Sequence, residues 1–222
     1  MKSNEDIEKV KKSCVDYYNN SCQDYYDEYL DELDKKPYDK DFLVRFVALI
    51  NRNGNILDIG CCSTAQQARF FSNNGLVVTS IDLSDKCIET AKQNFKGINF
   101  LQMDMLDMNF ENESFHAVNA FYSIIHIPRD KTDGLFKDFY RILRNNGKIA
   151  ITVHAGNFYG YYDENKIPVF YRTYTQTDLR ELLDKQGFRI IEIEQRPPIY
   201  DFEFQSERIY LIAEKIKNAS GQ

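Results

Sequence analysis

Apolar positions follow three different rhythms along the chain. Between residues 5 and 33 they recur in steps of three and four, at Ile7, Val10, Cys14, Tyr18, Cys22, Tyr25, Tyr29 and Leu33. That spacing predicts one helical face, with Asn19-Asn20-Ser21 a candidate break. A second helix is expected after Pro37, carrying Phe42, Leu43, Phe46, Val47 and Ile50, and Asn53-Gly54 ends it. After Gly54 short apolar runs alternate with amphipathic stretches. The runs at 55–59, 76–81, 98–102, 116–121 and 148–153 predict strands, and 65–72, 84–95 and 131–143 predict helices. Strand–helix alternation implies a parallel sheet with crossover helices on both faces. The end breaks the rule. Thr175 caps and Gly187 stops a helix over 175–186, and two strand-like runs follow, at 188–194 and 208–213. Only a loop with Pro197-Pro198 joins them, so they should pair antiparallel. The expected fold class is α/β: a doubly wound, mostly parallel sheet with a terminal antiparallel strand. Residues 1–222 read as one domain, with 1–52 as a helical cap and 155–174 as an insertion.

Composition narrows the function classes. Hydrophobic residues at 43% beside 28% charged residues suit a packed globular chain rather than a disordered one. Lys and Arg number 28 against 34 Asp and Glu, a net charge of −6, and no basic stripe stands out. That argues against a nucleic-acid or anionic-membrane partner. No run of ~18 apolar residues predicts a membrane span. The start, MKSNEDIEKVKK, has no apolar signal core, so a cytoplasmic location is expected. Cys14, Cys22, Cys61, Cys62 and Cys87 form no C-x-x-C pair and have no histidine at zinc-ligand spacing. Reduced thiols and no metal site are expected.

In a doubly wound sheet, ligands sit at the carboxyl ends of the strands, near the topological switch point. The first strand-to-helix turn reads ILDIGCCSTAQQARFF. It places Asp58 and Gly60 at the strand end and Cys61, Cys62, Ser63 and Thr64 in the turn. Ser63 and Thr64 precede Gln66 and Gln67 by three residues, so one of them is expected to cap the next helix. The second strand ends at Asp82-Leu83, ~20 residues beyond the glycine turn, where a carboxylate accepts hydrogen bonds from ribose hydroxyls. The third ends at Asp104-Met105, where a carboxylate can accept from an adenine amino group while Leu83 and Met105 flank the ring. Together these positions describe an adenosine pocket.

These segments resemble the class I S-adenosylmethionine-dependent methyltransferases, over residues from about 40 to 215. ILDIGCCSTAQ is similar to that family's first motif, VVTSIDLS to its ribose segment, INFLQMD to its adenine segment, and RILRNNGKIAITV to the entry into its fifth strand. FYSIIHIP and the start Tyr174-Thr175-Gln176-Thr177-Asp178-Leu179 resemble small stand-alone bacterial-type members. The second and third motif glycines are Cys62 and Thr64 here. The resemblance implies a Rossmann-like fold, S-adenosyl-L-methionine as cofactor, and methyl transfer to a small-molecule acceptor. It also implies an N-terminal helix folded over the cofactor, with Tyr25 the best-placed ring. The aromatic faces of Phe121 and Tyr122 suit a sulfonium.

His126 lies just past the fourth strand, where a neutral imidazole suits a general base or orients the acceptor; the alternative is a ring that simply hydrogen-bonds a backbone carbonyl and closes the loop before the next helix. His154 ends the fifth strand and, with Tyr122 and Tyr171, is a candidate acceptor contact. The rings between Phe158 and Tyr174 form either a lid over an acceptor or a loop packed on the sheet edge. A nicotinamide-dependent oxidoreductase would want G-x-G-x-x-G, and Gly60 is the only glycine in the turn. A non-catalytic binding or regulatory protein on the same fold is the other alternative, motivated by the absent glycines.

Overall fold

The Asp6 carboxylate accepts a hydrogen bond from the Glu8 amide and caps α1, Ile7–Tyr29. The computed structural model describes residues 6–164 and 167–216. The expected break at 19–21 does not occur. Asn20 and Ser21 donate to the carbonyls of Asp16 and Tyr17, one turn back, so their polar side chains leave the ladder intact. After the short α2, Glu32–Lys35, Pro37 starts α3, Pro37–Val47, where its missing N–H costs nothing. Phe42, Leu43 and Phe46 bury the inner face of α3 completely.

Five strands then alternate with helices. They are β1 (Asn55–Ile59), α4 (Gln66–Asn73), β2 (Val77–Asp82), α5 (Asp85–Asn94), β3 (Asn99–Gln102), β4 (Phe115–Phe121), α6 (Arg129–Ile142) and β5 (Leu143–His154). A hairpin, β6 (Tyr159–Glu164) and β7 (Ile167–Arg172), precedes α7 (Gln176–Gln186), β8 (Phe188–Arg196) and β9 (Arg208–Lys215). The main sheet runs β3-β2-β1-β4-β5-β9-β8. β9 is antiparallel to both its neighbours, as the missing crossover helix predicts, and the other pairings are parallel. Apolar side chains fill both faces. Leu57, Val118 and Ile151 meet α6 and α7 residues on one side, and Ile56, Ala117 and Ala150 meet those of α3 and α4 on the other.

Two local expectations fail. Neither Ser63 nor Thr64 caps α4. Ala65 stands at its N-cap with φ +43° and no side-chain cap, because Ser63 Oγ donates instead to the Cys22 carbonyl on α1. The aromatic stretch within 155–174 is neither simple lid nor irregular loop but the β6–β7 hairpin, its register pairing Tyr161 with Phe170. Val169 and Phe170 bury themselves against Val10, Cys14 and Tyr17 of α1. Among the described residues, no helix is long and apolar enough to cross a membrane.

Candidate functional site

The order β2-β1-β4 opens a crevice at the carboxyl ends of β1 and β4, where neighbouring connections leave toward opposite sides. A cavity of about 400 Å³ occupies it, roofed by α1 and the hairpin. Gly60 forms the floor at the end of β1 with φ +77°. A Cβ there would lie 2.5 Å from the Ser123 Cβ, so only glycine lets the β1 turn approach the segment after β4. Cys62 adopts φ +52°, a conformation that ordinarily favours glycine. Its thiol packs into a buried cluster with Cys22 and Cys87, 3.8 Å from the Cys87 sulfur, and Tyr18 and Tyr25 cover that cluster.

Asp82 faces this turn. One carboxylate oxygen accepts the Cys62 amide at 2.9 Å and the other the Ser84 amide at 2.9 Å. Each oxygen keeps a lone pair for a further donor, as two vicinal hydroxyls require. Burial pushes the Asp82 pKa up, against the opposing pull of these amides. At the end of β3 one Asp104 oxygen accepts the Leu106 amide at 2.8 Å, and the other meets Lys11 of α1 at 2.8 Å. Gly60, Cys61, Leu83 and Met105 line the same end of the cavity, and so do Tyr25 and Phe121. The donor set and the glycine-dependent floor therefore fit an adenosine-bearing cofactor.

Asp58 does not join them. It is 2% exposed, lies between strands, and accepts from Asn119 at 2.7 Å and Ser80 at 3.0 Å. Burial raises its pKa to about 6 despite those bonds. It braces β1 between β2 and β4, the strands its two partners occupy.

The other end of the cavity gathers the acceptor-side candidates. His126 ends a short 3₁₀ turn, Ile124–His126. Its Nδ1 lies 2.7 Å from the Phe170 carbonyl of β7. A carbonyl only accepts, so Nδ1 carries the proton and Nε2 is the accepting nitrogen. The Tyr18 hydroxyl of α1 donates to it at 2.9 Å. Burial lowers the His126 pKa, against that carbonyl, and raises that of Tyr18. The ring is thus neutral and already engaged; the bond to a backbone carbonyl is the one the alternative reading of His126 expects, and the Tyr18 hydroxyl on Nε2 is the addition. Tyr122 sits beside it with φ +54°, its hydroxyl 3.3 Å from that of Tyr210. Tyr210 in turn donates to Asp39 at 2.6 Å, and Arg196 donates to both Asp39 and Tyr210. His154 lies 4.8 Å, ring to ring, from Tyr122 and 5.9 Å from Tyr171.

Residues 57–151 match the family model described as a methyltransferase domain. Over those residues the chain is similar to methyltransferase domains, and its fold is that of the class I S-adenosylmethionine-dependent methyltransferases. Phosphoethanolamine N-methyltransferase 2 of Caenorhabditis elegans is 29% identical over 164 residues, 70% of this chain and 37% of that protein. O-methyltransferase rstn1 of Aspergillus nomiae is 25% identical over 158 residues, 64% of this chain and 67% of that protein. The chain thus spans little more than a third of the first relative's length. Among solved structures, Burkholderia thailandensis 1,6-didemethyltoxoflavin-N1-methyltransferase superposes with a TM-score of 0.75 at 17% identity. The superposition covers 98% of this chain and 93% of that one, which holds 1,6-didemethyltoxoflavin and S-adenosylhomocysteine.

Sequence reasoning missed Tyr18, Lys11, Lys36, Asp39, Arg196 and Arg208, which line or brace the cavity. Only Tyr18 left a trace, as a member of the apolar stripe of α1; nothing in that stripe marks its hydroxyl. Among the described residues no group of three or more His, Cys, Asp or Glu side chains is arranged to hold a metal ion.

Proposed function

We propose that the chain binds S-adenosylmethionine at the β1–β2–β3 end of the cavity and methylates a small molecule held at the other. Asp82 carries this reading. Its oxygens are fixed by two backbone amides at the end of β2, with a lone pair left on each for the ribose hydroxyls. Asp104 and Met105 suit the adenine edge, Leu83 its face, and Tyr25 closes the pocket from α1. Phe121 and Tyr122 offer ring faces toward the sulfonium. The bound cofactor supplies a methyl group activated by a sulfonium leaving group. The chain's own part is alignment and exclusion of water, which the α1 roof serves.

His126 and Tyr18 take the proton that the acceptor loses as it gains the methyl group. The proton passes to Tyr18 Oη while the Tyr18 proton moves to His126 Nε2; the Phe170 carbonyl keeps Nδ1–H in place through the transfer. Tyr122, His154 and Tyr171 contact the acceptor. A cytoplasmic setting accords with five buried, unpaired cysteines.

The test is calorimetric titration with S-adenosylhomocysteine. Asp82→Ala loses two charge-assisted hydrogen bonds, each worth ~1.5–3 kcal/mol. The expected outcome is at least a tenfold loss of affinity (about 1.4 kcal/mol) in a variant that still folds by circular dichroism. Unchanged affinity refutes the assignment.

A further inference from the structure

The acceptor end has a composition that points to a class of substrate, given the methyltransferase reading on which this inference rests. Five rings from separate parts of the chain meet there. His154, at the end of β5, is their hub, 4.8 Å from Tyr122, 5.9 Å from Tyr171 and 5.3 Å from Phe204. Tyr162 of the hairpin lies 6.2 Å from Phe204 and 6.4 Å from Tyr171, so the hairpin and the β8–β9 loop touch across the cavity mouth. Phe204 is 50% exposed and Tyr162 40%. Half-exposed rings on the rim of a concave site are surface that a ligand covers.

Charge then separates two kinds of ligand that rings can bind. Aromatic faces attract cations as well as stacking on flat molecules. The carboxylates at this end are each engaged: Glu32 with Lys36 at 2.6 Å, Asp39 with Arg196 at 3.0 Å, and Glu203 with Arg196 at 2.9 Å. Two of the cations, Lys36 and Arg208, line the cavity and are buried. Arg208 spends its terminal nitrogens on the Ser206 and Phe204 carbonyls. Its Nε makes no hydrogen bond, with the nearest carboxylate oxygen, on Glu203, 3.5 Å away. Burial first, then Arg208 and Lys36, hold the His154 pKa down near 3, with Glu203 opposing them. The hub ring is therefore neutral, and the charges around it, Lys36, Arg196 and Arg208 against Glu32, Asp39 and Glu203, balance. An alkylammonium acceptor finds each of these carboxylates already paired, and the further lining acids Asp24 and Glu28 are exposed to water, which screens their pull on a cation; a flat neutral ring system needs no such partner.

We propose that the acceptor is a planar, neutral aromatic molecule carrying a hydroxyl or ring N–H as the methylated group. It lies among Tyr122, His154, Tyr171 and Phe204. His154 and Phe204 act as specificity-determining residues.

The experiment measures binding to the protein loaded with S-adenosylhomocysteine, by calorimetry. The probes are 2-naphthol and 7-hydroxycoumarin against trimethylamine and dimethylethanolamine. The aromatic probes are expected to bind and the amines not to. Phe204→Ala, at a half-exposed position that leaves the fold alone, and His154→Ala should each weaken the aromatic probes about tenfold. Affinity for S-adenosylhomocysteine should stay unchanged in both. Binding of the amines alone, binding of neither class, or aromatic binding indifferent to both substitutions overturns the proposal. Failure of S-adenosylhomocysteine itself to bind overturns the cofactor assignment, and this inference with it.

Discussion

The two ends of the cavity are built on different plans. At the cofactor end, backbone decides the geometry. Gly60 makes a turn that no Cβ fits, and Asp82 is held by the amides of Cys62 and Ser84. Its elements are consecutive, β1, β2 and β3, each contributing its carboxyl end. At the acceptor end, side chains from distant segments decide it. Tyr18 and His126 are 108 residues apart, and Asp39 and Arg196 are 157 apart. A turn set by backbone can hold a side chain where glycine is favoured, as Cys62 at φ +52° does. A side-chain-built site changes its ligand with a few substitutions. One end can therefore stay constant in chemistry while the other diversifies.

The largest expected effect breaks the acceptor end alone. His126→Ala should lower kcat by about 10²–10⁴-fold and leave S-adenosylhomocysteine affinity as it was, because no cofactor-end residue touches the ring. The wild-type acidic limb should lie below pH 6.5, since burial lowers this imidazole's pKa and protonated Nε2 can no longer accept from Tyr18. That limb should flatten in the alanine variant. Tyr18→Phe separates two roles. If the phenol relays the proton, the variant loses activity on the same scale; if it only occupies Nε2, activity is kept or rises. Turnover of both variants within a few-fold of wild type shows a structural latch between α1 and β7.

The contrast also explains what was legible in the sequence. The sheet, its terminal reversal and the cofactor end follow from local signals: strand period, a glycine turn, acids at strand ends. The α4 cap was misread because the Ser63 hydroxyl has a partner on α1, 41 residues away, that no local spacing reveals. The hairpin was missed because Tyr159-Gly160-Tyr161-Tyr162 shows no apolar–polar alternation; its rings face α1 on one side and the cavity mouth on the other. His126 lines the cavity, and a backbone-carbonyl bond was foreseeable for it, but the identity of that carbonyl on β7 and the Tyr18 hydroxyl on α1 lie too far away in sequence to be read. Asp58 was the reverse case. Its motif position suggested the pocket, and Asn119 and Ser80 instead hold it between the strands.

Asp58 offers the second test, on the cofactor side. Its folded pKa, about 6, lies above the ordinary 3.8 because burial penalises the charge. Below both values the group is protonated in either state and costs nothing. As pH rises from about 4 to 6 the unfolded chain releases the proton first, so stability falls, by up to about 3 kcal/mol. Asp58→Asn keeps an acceptor for Asn119 and carries no charge. Chemical denaturation should show that this variant lacks the decline between pH 4 and 6 and is more stable than wild type at pH 7. Weakened S-adenosylhomocysteine binding without that gain would move Asp58 back into the site.

The smallest expected effect bears on why a backbone-built turn tolerates a cysteine. At φ +52°, Cys62 carries left-handed strain of ~1–2 kcal/mol. Its thiol packs between Cys22 and Cys87 under Tyr25, which offsets part of that strain. Cys62→Gly relieves the strain but empties the thiol's place and loosens the unfolded chain, an entropic cost of ~0.4–1 kcal/mol. These contributions nearly cancel, so its stability should stay within about 1 kcal/mol of wild type. Cys62→Ala keeps the strained φ and loses the sulfur contacts, and should be the less stable of the two variants by about 1 kcal/mol. Both should bind S-adenosylhomocysteine as wild type does, because the Asp82 contact here is to the Cys62 amide and not to its side chain. If either variant loses binding while its melting temperature holds, the thiol cluster shapes the cofactor end, and that end is not built from backbone alone.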